Sequence, residues 1–300
     1  MSDRKRVVII GAGFGGMSAA KKLAGKDVDV ILIDKRNHHL FQPLLYQVAT
    51  ADLSPAEIAW PIRSMFSKSP NVSVFMGEVT GIDLPNQRVL SGEHVLEYDY
   101  LVLATGAVTS YFGNDDWASV APGLKNITEA TNIRKSLLMA FERAENSQDE
   151  DQKRRLLNFI VVGGGPTGVE MAGAIAELAK KTLSDDFRRI DPRDARIILA
   201  EGGPRILGAF PEDLSDYTQK SLESIGVDVR VGQAVTEITA QGAKIGDEFI
   251  PSANVIWGAG VQVPDLKDWT QKPADRGGRI KVESDLSVPG HSHVFVIGDA

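Results

Sequence analysis

Two glycine-rich turns, GAGFGG at Gly11–Gly16 and GGGPTG at Gly163–Gly168, each sit between an apolar strand-like run and a helical segment. In a turn of this kind the first glycine permits a tight reversal, the second lets the main chain approach a pyrophosphate, and the third lets the helix close on its sheet. The amides left unpaired at the helix start, reinforced by the helix dipole, then favour the bound negative charge. One such turn is a weak signal. Two, about half a chain apart, imply a protein that holds two nucleotides face to face.

The surrounding pattern supports two strand–helix–strand units. Arg4 to Ile10 reads as a buried strand, Gly11 to Ala24 as a helix, and Asp27 to Asp34 as the second strand. A strand near Val72 to Met76 and alternating segments from Arg88 to Leu103, broken at Ser91-Gly92, add a small β-meander. Ile133, Leu137, Leu138 and Phe141 recur at helical spacing between Thr128 and Ala144, and a charged stretch from Glu145 to Arg155 follows. The second unit reads as a strand at Asn158 to Val162, a helix through Lys181, a polar connection from Ser184 to Asp194, and a strand at Ala195 to Glu201. Further strands are expected at Val227 to Val231, Asn254 to Trp257, Arg279 to Val282 and His293 to Ile297. No third glycine turn occurs, so the last strands are expected to return to the first domain. That domain would then comprise 1–120 and 275–300, with 121–274 inserted as the second.

Acids at the strand ends indicate which nucleotide goes where. Asp34 lies 23 positions after Gly11, near the distance at which a carboxylate meets the adenosine ribose. Glu201 lies 38 positions after Gly163, stretched by the polar connection, and also ends an apolar strand. A lone acid there would most simply cap its strand; two in matched contexts favour ribose binding. Because a carboxylate repels a 2′-phosphate, the mobile cofactor is expected to be NADH rather than NADPH. LVLATG, with Ala104, Thr105 and Gly106, and VFVIGD, ending at Asp299, fit the extended FAD beside the first turn. In the second unit, Gly258, Ala259 and Gly260 form the corresponding turn, whose small residues are expected to let nicotinamide slide over the flavin.

Composition narrows the remaining classes. Of 300 residues 43% are apolar and 24% charged, enough for two ordinary cores, and the net charge of -7 argues against nucleic acid as a partner. The basic run Lys153, Arg154 and Arg155 reads as a solvated helix face. With no cysteine, a redox disulfide and thiolate metal ligation are both absent, and the cytoplasm is the expected compartment. No apolar run is long enough to span a membrane. His38, His39, His94, His291 and His293 form no metal-ligand pattern, so no metal is expected; His38 and His39 read as exposed loop residues.

FQPLLYQVATADLSP (Phe41 to Pro55), YDYLVLATGAVTSYFG (Tyr98 to Gly113), APGLKNITEATNIR (Ala121 to Arg134), GGGPTGVE, ARIILAEGGPRIL and DLSVPGHSHVFVIGD together resemble the type II, single-subunit, non-proton-pumping NADH:quinone oxidoreductases. The resemblance runs nearly the whole length and implies an α/β fold with two Rossmann-like domains of the FAD/NAD(P)-dependent, pyridine nucleotide-disulfide reductase-like type. It implies that Gly11, Gly13, Phe14, Gly15 and Gly16 form the FAD phosphate loop, Asp34 and Lys35 the ribose edge, and Val79 a main-chain adenine contact. Ala104, Thr105 and Gly106 would flank FAD, with Asp299 near its centre. Gly163, Gly165, Thr167, Gly168 and Glu201 would bind NADH. Glu170 would stand near the nicotinamide and quinone end of the flavin, although the dipole alone would also favour a first-turn acid there.

The resemblance further implies a hydride passing from NADH to FAD, then two electrons to a membrane quinone. Family members continue beyond the GD motif into a flavin-holding helix, a quinone-side segment and membrane-binding amphipathic helices, so this chain, ending at Ala300, is expected to be a C-terminally truncated form. At full length it would lie on the cytoplasmic face of the inner membrane, and a homodimer is compatible with the resemblance. Two other readings share the scaffold: an NADH-dependent reductase of ferredoxin or rubredoxin type, and a nonenzymatic NADH-responsive flavoprotein.

Overall fold

In the computed structural model, which describes residues 4–263 and 266–300, the run KRVVII at Lys5–Ile10 is a strand whose last four residues are buried. Continuous apolar runs of this kind belong to parallel strands covered on both faces. The strand lies inside a six-stranded sheet ordered Ser287–Val288, His291–Val296, Tyr100–Leu103, Lys5–Ile10, Val28–Asp34 and Val72–Met76. All neighbours are parallel except the first pair. Alternation divides the side chains between two cores: Val8, Ile10, Leu101 and Leu103 enter one, and Val7, Ile9, Val30 and Leu32 the other. Ile10 pairs with both Ile33 and Leu103, and Leu103 with Val296, so the strands end in register. Register therefore gathers Gly11, Asp34, Ala104 and Ile297 along one edge, where open α/β sheets bind ligands.

The second unit repeats the plan with four parallel strands, Val227–Val231, Arg196–Glu201, Asn158–Val162 and Asn254–Trp257, in that order. Val162 pairs with Ala200 and Trp257, which brings Gly163, Glu201 and Gly258 to one edge. The helix Ile127–Asn146 buries Ala130, Ile133, Leu137, Ala140, Phe141 and Ala144, the stripe expected of a helix with one covered face. Asn126 caps it by accepting from the Glu129 amide. A three-stranded meander, Val235–Thr239, Gly242–Ile245 and Glu248–Pro251, adds Ile238, Ala243, Ile245 and Ile250 to the core.

The two compact units are Met1–Phe41, Ala59–Val108 and Val261–Ala300 on one side, and Gln42–Ile58 with Thr109–Gly260 on the other. This differs from the boundaries expected at 120 and 275. The main difference is Gln42–Ile58, whose short helix Leu45–Ala49 buries Leu45, Val48 and Ala49 and packs against the helices Ile127–Asn146 and Pro166–Glu177. A segment without clear periodicity goes where its few apolar residues are covered. The charged stretch before the second unit is itself helical at Glu150–Leu157, started by Asp149 accepting from the Asp151 and Gln152 amides. Lys153 and Arg154 pair with Glu150 and Asp151, but only Arg154 of the basic run is exposed; Lys153 and Arg155 are half-buried, and Arg155 donates to the Ala240 carbonyl at 3.0 Å, so the run is only in part a solvated face. Arg279 to Val282 is not a strand; it contributes one bridge, Ala274 to Ile280. The second-unit helix is regular to Glu177 and closes through a wider π turn at Leu178–Thr182.

Candidate dinucleotide sites

Gly13 caps the helix Phe14–Leu23 with no side-chain hydrogen bond and no acid in the first turn, so neither the cap nor a first-turn carboxylate satisfies the amides at the helix start. A Cβ on Gly13 would meet nothing within 4 Å, which marks the open side of the loop. Gly11 and Gly16 are closed positions. Gly11 has φ +100°, and a Cβ there would collide with the Ala104 carbonyl oxygen; one on Gly16 would collide with the Gly11 carbonyl oxygen. Gly15 is set against Ile297.

Asp34 clasps this loop. One carboxylate oxygen accepts from the Ala12 amide at 2.7 Å and the other from the Arg36 amide at 2.8 Å. Glu201 does the same in the second unit, accepting from the Gly164 amide at 2.6 Å and the Gly203 amide at 2.7 Å. The agreement extends to the backbone, where Gly11 donates to Ile33 and Gly163 to Ala200, both at 2.8 Å. Charge-assisted bonds of this type are stronger than neutral ones. A carboxylate offers about four lone-pair positions, so each acid retains acceptor capacity for a ribose hydroxyl.

The second loop matches the first in its glycines. Gly165 caps the helix Pro166–Glu177, again without a side-chain bond, and a Cβ on it would meet nothing within 4 Å. Gly163 has φ +105° and is crowded by Ala259 and Gly258, while Gly168 abuts the Gly163 carbonyl oxygen. The Gly258 amide donates to Val162 at 2.7 Å, which fixes the turn Gly258, Ala259 and Gly260 over the loop. Thr167 is half-buried on the first helical turn.

Glu170 is the fifth residue of that helix, beyond the first turn, so the dipole explanation offered from sequence does not apply. It keeps an exposed face, yet packing around it raises its carboxyl above the ordinary range by desolvation. Tyr46, from the short helix packed on Pro166–Glu177, has its hydroxyl pushed up by burial first, then by the charges of Glu170, Asp52 and Glu177.

In the first unit the remaining expected residues converge to different degrees. The Gly77 amide donates to the Asp34 carbonyl, and Lys35 pairs at 3.5 Å with Glu78, the residue before Val79. Ala104 is buried, and the Thr105 hydroxyl oxygen is buried without a hydrogen-bond partner, a polar atom suited to a ligand. Gly106 at φ +68° and Gly298 at φ +82° border open space, and Asp299 is exposed. The open Gly13, the helix start without a side-chain cap and the unpartnered Thr105 hydroxyl all fit a dinucleotide phosphate and its flanking groups.

His39 corrects the expectation of an exposed loop. It is 9% exposed and its Nδ1 lies 2.8 Å from the Ala12 carbonyl oxygen. Phe14, 48% exposed, meets His39 and Phe41 edge to face. The only sequence signal for His39 was its apolar neighbour Leu40, because its partner is distant along the chain. Among the described residues there is no metal-ligand cluster and no helix long and apolar enough to cross a membrane.

Comparison with known proteins agrees with this architecture. Residues 5–300 match the family described as pyridine nucleotide-disulphide oxidoreductase. The type II NADH:quinone oxidoreductase Ndh of Mycobacterium tuberculosis is 47% identical over 309 residues, covering 99% of this chain and 67% of that protein. NdhA of the same organism is 46% identical over 315 residues, covering 100% and 67%. The solved NDH2 of Plasmodium falciparum in complex with NADH has a TM-score of 0.90 at 26% identity, over 99% of this chain and 64% of that one. The chain thus spans about two thirds of the length of these relatives. By this match along its whole length, the chain belongs to the pyridine nucleotide-disulphide oxidoreductase family and, within it, to the type II NADH:quinone oxidoreductases.

Proposed function

We infer that the protein is an FAD-dependent enzyme that oxidises NADH and reduces a quinone. The observation that carries this reading is the pair of acid-clasped glycine loops, one per unit, each with an open second glycine and a helix start without a side-chain cap. FAD, when bound, supplies the redox chemistry, taking a hydride from NADH and returning two electrons to the acceptor. The chain supplies binding and orientation. Gly11, Gly13, Phe14, Gly15 and Gly16 hold the FAD pyrophosphate, Asp34 and Lys35 its ribose, Val79 its adenine, and Ala104, Thr105, Gly106 and Asp299 its flanks. Gly163, Gly165, Thr167, Gly168 and Glu201 hold NADH, with Gly258, Ala259 and Gly260 toward nicotinamide. Anaerobic NADH should bleach the visible flavin band of FAD-loaded protein, and a soluble quinone should restore it. A band that NADH leaves unchanged would overturn the reading.

Glu170 is assigned to the quinone half-reaction as a proton-holding group. Burial raises its carboxyl, so it stays protonated to a higher pH than an ordinary glutamate. Quinone reduction should therefore decline as pH rises through that raised value. Glu170→Gln should leave flavin reduction by NADH nearly intact, lower quinone reduction by about 10²-fold, and remove that pH limb. Stopped-flow measurement of each half-reaction across pH separates the effects; unchanged quinone reduction in the variant would remove Glu170 from the mechanism. Peripheral attachment to the cytoplasmic face of the inner membrane through C-terminal residues, and assembly as a homodimer, complete the proposal. Vesicle co-sedimentation of the full-length protein and analytical ultracentrifugation test these two points.

A further inference from the structure

Trp257, the residue that leads into the Gly258–Gly260 turn, is 4% exposed and is enclosed by aromatic rings. Tyr111 stacks on it at 5.3 Å, and Trp117 and Phe112 meet it edge to face at 5.5 and 6.1 Å. The indole Nε1 donates to the Ser110 carbonyl at 2.8 Å, and the Ser110 amide donates to the Gly260 carbonyl at 3.0 Å. The segment 110–112 is therefore tied to both ends of the turn. Three of these rings are accounted for by packing. Phe112 is not: it is 66% exposed and has φ +53°, a left-handed conformation in which a bulky side chain is strained. Its ring lies so close over Gly260 that a Cβ at 260 would collide with it.

A large ring held in a strained backbone state, mostly unburied and fitted to a glycine of the turn, is poorly explained as core. We propose that Phe112 is a specificity-determining residue for NADH, presenting its exposed face to the nicotinamide half, with Gly260 kept small to let the ring sit there. The proposal rests on the assignment of this unit to NADH. It concerns only the nicotinamide half, so a fragment that lacks this half separates the two.

The test is calorimetric binding of NADH and of ADP-ribose to FAD-loaded wild type, Phe112→Gly, Gly260→Ala and the double variant. Phe112→Gly relieves the strained φ, so its melting temperature should not fall. Its affinity for NADH should drop about fivefold while ADP-ribose binds as before. Gly260→Ala should weaken NADH by displacing the ring, and should add nothing once the ring is gone. Equal losses for both ligands, unchanged NADH affinity in Phe112→Gly, or multiplying effects in the double variant would each overturn the proposal. Failure of wild type to bind ADP-ribose would instead remove the NADH assignment beneath it. Phe112→Leu, which keeps apolar bulk, repeats the comparison should the glycine variant fail to fold, with the same loss confined to NADH expected and an equal loss for both ligands overturning the proposal.

Discussion

Gly13→Ala should fold as well as the parent and lose most of its FAD. Gly13 has φ -71° and ψ -165°, a conformation open to any residue, and a Cβ there meets no protein atom within 4 Å. Only a bound group can object to the methyl. If the FAD pyrophosphate rests on the amides at this helix start, the methyl pushes it off hydrogen bonds to charge worth about 1.5–3 kcal/mol each, so affinity should fall by about 10²-fold. The melting temperature of the apoprotein should move by no more than about 2 °C. Gly11→Ala behaves differently because it combines φ +100° with a collision against the Ala104 carbonyl oxygen, which is backbone and cannot turn aside. It should cost about 3 kcal/mol or more of stability as well as FAD. FAD per polypeptide after gel filtration, read beside thermal melts of the apoproteins, distinguishes the two. A Gly13→Ala protein that retained full FAD would show that the open side of the loop is not the phosphate side.

That contrast also marks how far sequence reading reaches. Glycines at 11, 13 and 16, and at 163, 165 and 168, are legible because spacing alone identifies the turn, and a strand followed by a helix constrains its geometry. Asp34 and Glu201 are legible as strand-end acids, but not the fact that each also accepts from two amides of its own loop region. One bond of each pair runs across 22 or 37 positions and depends on register between parallel strands, while the other spans only two. Long-range pairing explains the other omissions too. His39 bonds to Ala12, Trp257 to Ser110, and Gln42–Ile58 joins the unit its neighbours in sequence do not belong to. None of these has a periodic signature; each is decided by where a few apolar or polar atoms find cover. Conversely, Arg279 to Val282 alternates like a strand but forms only one bridge.

The clasp alters what Glu201 is expected to do when substituted. A 2′-phosphate beside its carboxylate places like charges together, which costs several kcal/mol, so wild type should prefer NADH over NADPH by about two orders of magnitude in kcat/KM. Glu201→Gln keeps the side-chain length and removes the charge. It also replaces one acceptor with an NH2 group, so one of the Gly164 and Gly203 amides loses its partner. Two effects should then appear together: the preference narrows by about tenfold or more, and stability falls by about 1–3 kcal/mol as the loop is left unsatisfied. Asp34→Asn is the internal control. It breaks the equivalent clasp in the first unit, at Ala12 and Arg36, and should lower FAD retention and stability without altering the choice between NADH and NADPH. Measuring kcat/KM for both nucleotides in the three proteins, with FAD saturating, decides the matter. If Glu201→Gln lost stability with its preference unchanged, the carboxylate would serve only to close the loop and nucleotide choice would lie elsewhere. A preference changed by Asp34→Asn would mean that the two loops had been assigned to the wrong dinucleotides.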